Sequence, residues 1–205
     1  LPGPVWCNKW FNKWVTQQLK ALFQYRHYIT ARDLAYLQHY AGLPRLRIAI
    51  SGSNGFVGKA LVAFLQSQGH TVLPIIRTSQ KVSAPYIAWN PQSDTVDHTM
   101  LEGLDAVIHL AGENVASGLW TDSKKAAIQS SRVRGTQLIS QTLAQLKNPP
   151  KVFICASAIG FYGHRPNQEV TEADEAGQGF LPQLASQWEA STEPAKNAGI
   201  RVVNA

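Results

Sequence analysis

From Arg45 onward, short runs rich in valine and isoleucine alternate with longer stretches in which apolar side chains recur at helical spacing. That alternation predicts repeated βαβ units on a parallel sheet. Strands are expected near 46–51, 71–76, 86–89, 105–110, 151–156 and 200–204. Between the first two, Phe56, Ala60, Leu61, Phe64 and Leu65 mark a helix that Gly69 is placed to end. Ala127, Ile128, Leu138, Ile139, Leu143 and Leu146 mark a longer one, closed by Asn148-Pro149-Pro150 because proline cannot continue a helix. A third is expected from Pro182 to Asn197. The predicted fold class is α/β, a doubly wound parallel-sheet Rossmann domain over 45–205 with a helical extension over 1–44.

The extension has a different pattern. Trp6, Trp10 and Trp14 recur every four residues with Lys9 and Lys13 between them, which predicts a helix with an aromatic stripe. Such a stripe suits contact with a membrane surface or lipid. Tyr25, Tyr28, Leu34, Tyr36 and Tyr40 carry the apolar pattern well past one interfacial helix, which favours a terminal helix packed on a protein core. Ala41-Gly42-Leu43-Pro44 then reads as the linker.

Composition narrows the function. With 44% hydrophobic and 16% charged residues, the chain has the make-up of an ordinary globular protein. Its net charge of +6 points to nucleic acid until its location is considered. Lys9, Lys13, Lys20, Arg26 and Arg32 against Asp33 place most of the excess before residue 44, and no basic stripe interleaved with aromatics follows, so no nucleic-acid partner is expected. Cys7 and Cys155 lie far apart, and Cys155 falls in an apolar run that predicts a buried free thiol. No metal-ligand spacing occurs among His, Cys, Asp and Glu. With no signal-peptide pattern and no apolar stretch near 18 residues, a soluble, cytoplasmic protein is expected. The absence of an initiator Met and the ending inside an expected strand suggest part of a longer protein.

The chemistry starts where the first strand runs into Ser51-Gly52-Ser53-Asn54-Gly55-Phe56-Val57-Gly58 and a helix follows at once. In that context Gly52 permits a tight turn, Gly55 lets backbone approach a pyrophosphate, and Gly58 lets the helix lie close to the sheet. The helix N-terminus offers free N–H groups to phosphates, so residues 52–58, including Ser53, Asn54, Phe56 and Val57, are the expected cofactor cradle. About 20 residues on, an NAD site would hold an acid for the ribose 2′-hydroxyl. Here the second strand ends in Arg77-Thr78-Ser79-Gln80-Lys81, with no acid in reach. A guanidinium there suits a 2′-phosphate, so NADP(H) is the expected cofactor.

The glycine turn, Asp105-Ala106-Val107-Ile108-His109-Leu110-Ala111-Gly112-Glu113-Asn114, Trp120, Ser131-Arg132 and Ser157-Ala158-Ile159-Gly160-Phe161-Tyr162-Gly163 together resemble the epimerase-like branch of the extended short-chain dehydrogenase/reductases. The resemblance covers about residues 45–205. It implies an enzyme acting on a small molecule and a substrate-binding portion after Ala205. It also implies that Leu110, Ala111 and Gly112 border the adenosine and ribose side of the cofactor, and that Arg132 reaches the cofactor phosphates or a substrate. His109, on a buried strand, reads as a core histidine. Residues 19–34, especially Phe23-Gln24-Tyr25-Arg26-His27, resemble the last helical stretch of a START-like domain.

One departure shapes the functional expectation. Members of that family use a Ser or Thr after the fifth strand and a Tyr-x-x-x-Lys pair, in which lysine lowers the pKa of the tyrosine acid/base. The corresponding stretch here is Phe180-Leu181-Pro182-Gln183-Leu184-Ala185, with neither residue. If Tyr162-Gly163 sets the register, Ala158 takes the serine position and Ser157 stands one residue before it. Ser157 is expected to donate a hydrogen bond to a substrate oxygen and Tyr162 to donate a proton. Two functions stay open: an NADP-dependent oxidoreductase or epimerase acting on a carbonyl or sugar-nucleotide-like substrate, and an NADP-binding module without turnover.

Overall fold

A computed structural model of the chain describes residues 5–78, 80 and 82–205. The side chains of residues 5–8, and Ser79 and Lys81 of the stretch expected to discriminate the cofactor, lie outside the described residues. The chain up to Pro44 forms one compact unit and Arg45–Ala205 another.

In the first unit a single helix, α1 (Val5–His39), carries the aromatic pattern up to Tyr36, and Tyr40 stands in the turn that follows it. Trp10, Phe11 and Trp14 are largely exposed, with Phe11 and Trp14 stacked at 6.3 Å between ring centroids. Among the described residues no helix is long and apolar enough to cross a membrane.

The second unit is built on β1 (Arg47–Ser51), β2 (Thr71–Arg77), β3 (Ile87–Asn90), β4 (Thr95–Val96), β5 (Ala106–His109), β6 (Val152–Cys155) and β7 (Arg201–Asn204). They form one sheet in the order β4-β3-β2-β1-β5-β6-β7. All pairings are parallel except β3 with β4, where a hairpin turns through Asp94 at φ 51°. The order reverses direction at β1, with β2 on one side of it and β5 on the other, the switch point beside which open α/β sheets hold their ligands. This is the predicted doubly wound α/β architecture with one antiparallel edge strand added.

Strand alternation sorts the core into two faces. Ile48, Ile50, Val72 and Ile108 pack toward α2 (Phe56–Ser67) through Leu61, Val62 and Leu65. Ala49, Leu73, Ile75, Val107 and Phe153 face the other way, onto Ile139 and Leu143 of α3 (Asp122–Ala144) and Trp188 of α4 (Phe180–Ala190). Helix α3 begins five residues before the first apolar position of its pattern, where Thr121 caps it by accepting from the Lys124 N–H at 3.2 Å. The helix expected from Pro182 to Asn197 is two: α4 stops at Ala190, and α5 (Glu193–Asn197) starts with Pro194 in its first turn. Pro194 has no N–H for the carbonyl one turn earlier, and its ring clashes there, which favours the break seen just before it.

Candidate functional site

The glycine turn leaves β1 with Gly52 at φ +70°, in contact with the end of β5: a Cβ on Gly52 would sit 2.8 Å from the Leu110 carbonyl carbon. A side chain on Gly58 would sit 2.2 Å from the Gly52 carbonyl oxygen, so the first turn of α2 folds directly onto the loop backbone. The nearest neighbours of Gly58 are thus the backbone atoms of Gly52 and Ser53, at the start of the turn that leaves β1. Gly55 is the N-cap of α2 and makes no side-chain cap, which leaves the first N–H groups of the helix without a side-chain acceptor. Phe56 and Val57 point outward, 97% and 60% exposed, so only their backbone belongs to the cradle.

Beside this turn lies a cleft of about 630 Å³. It is lined by Gly52, Ser53, Asn54, Gly55, Arg77, Leu110, Ala111 and Gly112 of the expected set, and by residues at the ends of β2 and β3 and on α3. Arg77, the last residue of β2, is exposed, and among the described residues it has no ion-pair partner. Arg134 also lines the cleft and is absent from the sequence expectation. Its guanidinium is already engaged, with Nε and Nη2 donating to the two carboxylate oxygens of Asp94 at 3.0 and 2.7 Å.

A buried polar pair joins the ends of β1 and β5 beside the cleft. Ser51 and His109 stand opposite one another in the β1–β5 register. Ser51 Oγ accepts from the N–H groups of Leu110 and Ala111 at 3.1 and 3.3 Å, which occupies its lone pairs, so its own proton goes to Nδ1 of His109 at 2.6 Å. His109 is thereby the Nε2–H tautomer, edge-on to Trp89 at 5.6 Å. Burial pushes its pKa down to about 4, so the ring is neutral at physiological pH. This is a core histidine that ties two strand ends together.

The loop after β5 is tied to α3. The Glu113 N–H donates to Ser131 Oγ at 2.9 Å, and Lys124 Nζ donates to Glu113 Oε1 at 2.6 Å, holding that carboxyl below the usual carboxylate range. Arg132 does not line the cleft. Its Nη1 donates to the Glu113 carbonyl at 2.9 Å, and its guanidinium lies 5.0 Å from the Trp188 ring centre, so it braces the loop behind the cleft.

Ser157 and Tyr162 follow β6 and are not among the residues lining the cleft. Ser157 Oγ donates to Glu189 of α4, a partner that no local motif announced, because 32 residues separate the two. Tyr162 ends a short 3₁₀ turn, Ile159–Tyr162, with its ring edge-on to Phe161 at 5.3 Å. Trp120 closes this side, edge-on to Phe180 at 5.9 Å and donating to the Val115 carbonyl. Cys155 is buried, and burial raises its thiol pKa to about 12, which removes it from nucleophilic chemistry.

The site's order of parts, strand, glycine turn, helix and strand-end small residues, matches a family model over residues 48–182, that of the NAD dependent epimerase/dehydratase family. The chain belongs to this family. An epimerase family protein of Mycobacterium leprae is 40% identical over 156 residues, which cover 76% of this chain and 50% of that protein. The human epimerase family protein SDR39U1 is 29% identical over 149 residues, 71% of this chain and 48% of that one. The chain thus spans about half the length of the curated relatives it matches. Among solved structures, a nucleoside-diphosphate sugar epimerase from Corynebacterium glutamicum aligns with a TM-score of 0.74 at 38% identity, over 88% of this chain and 38% of that one. Human SDR39U1 solved with NADPH aligns with a TM-score of 0.63 at 27% identity, over 72% of this chain and 48% of its own. In this chain the reversal of strand order is where the glycine turn and the strand-end loops converge on the cleft.

Proposed function

We propose that this chain is the dinucleotide-binding half of an NADP(H)-dependent oxidoreductase or epimerase acting on a carbonyl or sugar-nucleotide-like small molecule. The observation that carries the cofactor choice is Arg77: a guanidinium at the end of β2 with no ion-pair partner among the described residues, on the wall of the cleft that also holds the glycine turn. The cleft volume of about 630 Å³ suits a ligand of cofactor size. The site's donors suit a dinucleotide chemically. The uncapped amides of α2 would hold the pyrophosphate, Arg77 the 2′-phosphate, and Leu110, Ala111 and Gly112 would border the adenosine and ribose. A nicotinamide dinucleotide, when bound, supplies or accepts a hydride. The NADPH in the related human structure supports the same choice.

Titration of the full-length protein tests it. NADPH is expected to bind at least about tenfold more tightly than NADH, roughly 1.4 kcal/mol, and Arg77→Ala to remove most of that preference. Equal affinities in the wild type overturn the cofactor assignment. At the substrate end, we assign Tyr162 as proton donor and Ser157 as a hydrogen-bond donor once a substrate oxygen takes the place of Glu189 on its hydroxyl. Oxidation of NADPH with a panel of carbonyl compounds and sugar nucleotides should fall at least about tenfold in Tyr162→Phe, and an unchanged rate removes Tyr162 from the chemistry.

A second reading, a binding module without turnover, is favoured by one observation: the Ser157 hydroxyl is already donated to Glu189, and no Tyr-x-x-x-Lys pair stands beside it. Tight NADPH binding with no product from any member of the panel would establish that reading.

A further inference from the structure

We infer that Lys59 is a second cation for the cofactor's 2′-phosphate, acting with Arg77 across the Ser53–Asn54 turn. The inference rests on the NADP(H) reading above and adds a specificity-determining residue to it.

Three observations meet at Lys59. The first is a second cavity, of about 320 Å³, beside the main cleft. The two cavities share Ser53, Asn54 and Ile76, so the glycine turn is their common wall. Arg77 lines one side of that wall and Lys59 the other, and no Asp or Glu lines the second cavity. The second is availability: Lys59 is exposed, and among the described residues it has neither an ion pair nor a side-chain hydrogen bond.

The third is the placement of its charge. Lys59 follows directly on the first turn of α2, a turn with no acidic residue and no side-chain cap. A lysine at the positive end of a helix dipole is electrostatically unfavourable, and a bound anion reverses the sign of that term. A 2′-phosphate carries close to two negative charges and three acceptor oxygens. A guanidinium fork satisfies two oxygens, and an ammonium on a flexible stem suits the third as a point charge.

The test compares four proteins, wild type, Lys59→Gln, Lys59→Arg and Arg77→Ala, each at full length. They are titrated with NADPH, NADH, adenosine 2′,5′-bisphosphate and ADP. Lys59→Gln is expected to weaken NADPH and the bisphosphate about fivefold while leaving NADH and ADP within about twofold, and Lys59→Arg to restore the preference. If Lys59→Gln leaves NADPH unchanged while Arg77→Ala abolishes the preference, Lys59 is excluded and the cofactor reading stands. If Lys59→Gln weakens NADPH and NADH equally, the contact is not with the 2′-phosphate and the inference is overturned. A wild type that binds NADPH and NADH equally overturns both.

Discussion

The two ends of the crevice use polar groups in opposite ways. On the glycine-turn side two cations are left unclaimed: Arg77 and Lys59 pair with nothing among the described residues, and α2 begins without a side-chain cap, while Arg134 on the same cleft is held by Asp94. On the β6 side the polar groups are spent within the protein. Ser157 donates to Glu189, Arg132 braces the Glu113 carbonyl and stacks on Trp188, and Lys124 holds Glu113. An unpaired cation near a cleft points outward to a ligand, whereas a claimed one holds the scaffold that shapes the cleft. Sequence position cannot separate the two cases, since Arg77 and Arg132 both stand where a phosphate contact is expected.

The strongest way to break this contrast is on the β6 side. Trp188 is 5% exposed, donates to Thr136 Oγ1 at 2.9 Å and carries the Arg132 guanidinium. Trp188→Ala should cost about 3–5 kcal/mol in denaturant unfolding. If Arg132 only braces the loop, NADPH affinity should fall far less than stability.

On the cradle side the order reverses. Gly58→Ala places a Cβ against the Gly52 carbonyl oxygen and should cost about 1–3 kcal/mol while removing measurable NADPH binding, because the turn itself must shift. A Gly58→Ala protein that binds NADPH normally would show that the turn does not shape the site.

The buried pair between β1 and β5 carries a pH signature. His109 has its pKa depressed from 6.5 to about 4 by burial, so below pH 6.5 the unfolded chain takes up a proton that the folded protein refuses. The stabilisation is complete above pH 6.5 and is lost as pH falls from there toward 4, at up to about 1.4 kcal/mol per pH unit. Urea unfolding between pH 7 and 5 should show this slope in the wild type and a shallower one in His109→Gln. Equal slopes would assign the effect to other groups.

Much of the scaffold was legible in the chain because periodicity and sterics are local. The expected strands at 46–51, 71–76, 105–110 and 151–156 contain β1, all but the last residue of β2, β5 and β6, and the glycine string lands at the turn between β1 and α2. What was missed is short or distant. Strand β4 has two residues and no period to read, and its pairing with β3 is set by the hairpin at Asp94. The break between α4 and α5 carried a local signal in Pro194 that the apolar pattern overrode. Glu189 and Arg134 had no signal at all, because their partners, Ser157 and Asp94, lie 32 and 40 residues away.

The sequence by itself determined the strand-turn-helix cradle, the basic residue ending β2 and the absence of a Tyr-x-x-x-Lys pair, since each depends on residue type and spacing along a few turns of chain. Only the tertiary structure decided which charges are free. Whether Arg77, Lys59, Arg132 or Ser157 can meet a ligand depends on what the fold brings within about 3 Å of it, and hydrogen-bond partners are chosen by packing between elements far apart in sequence.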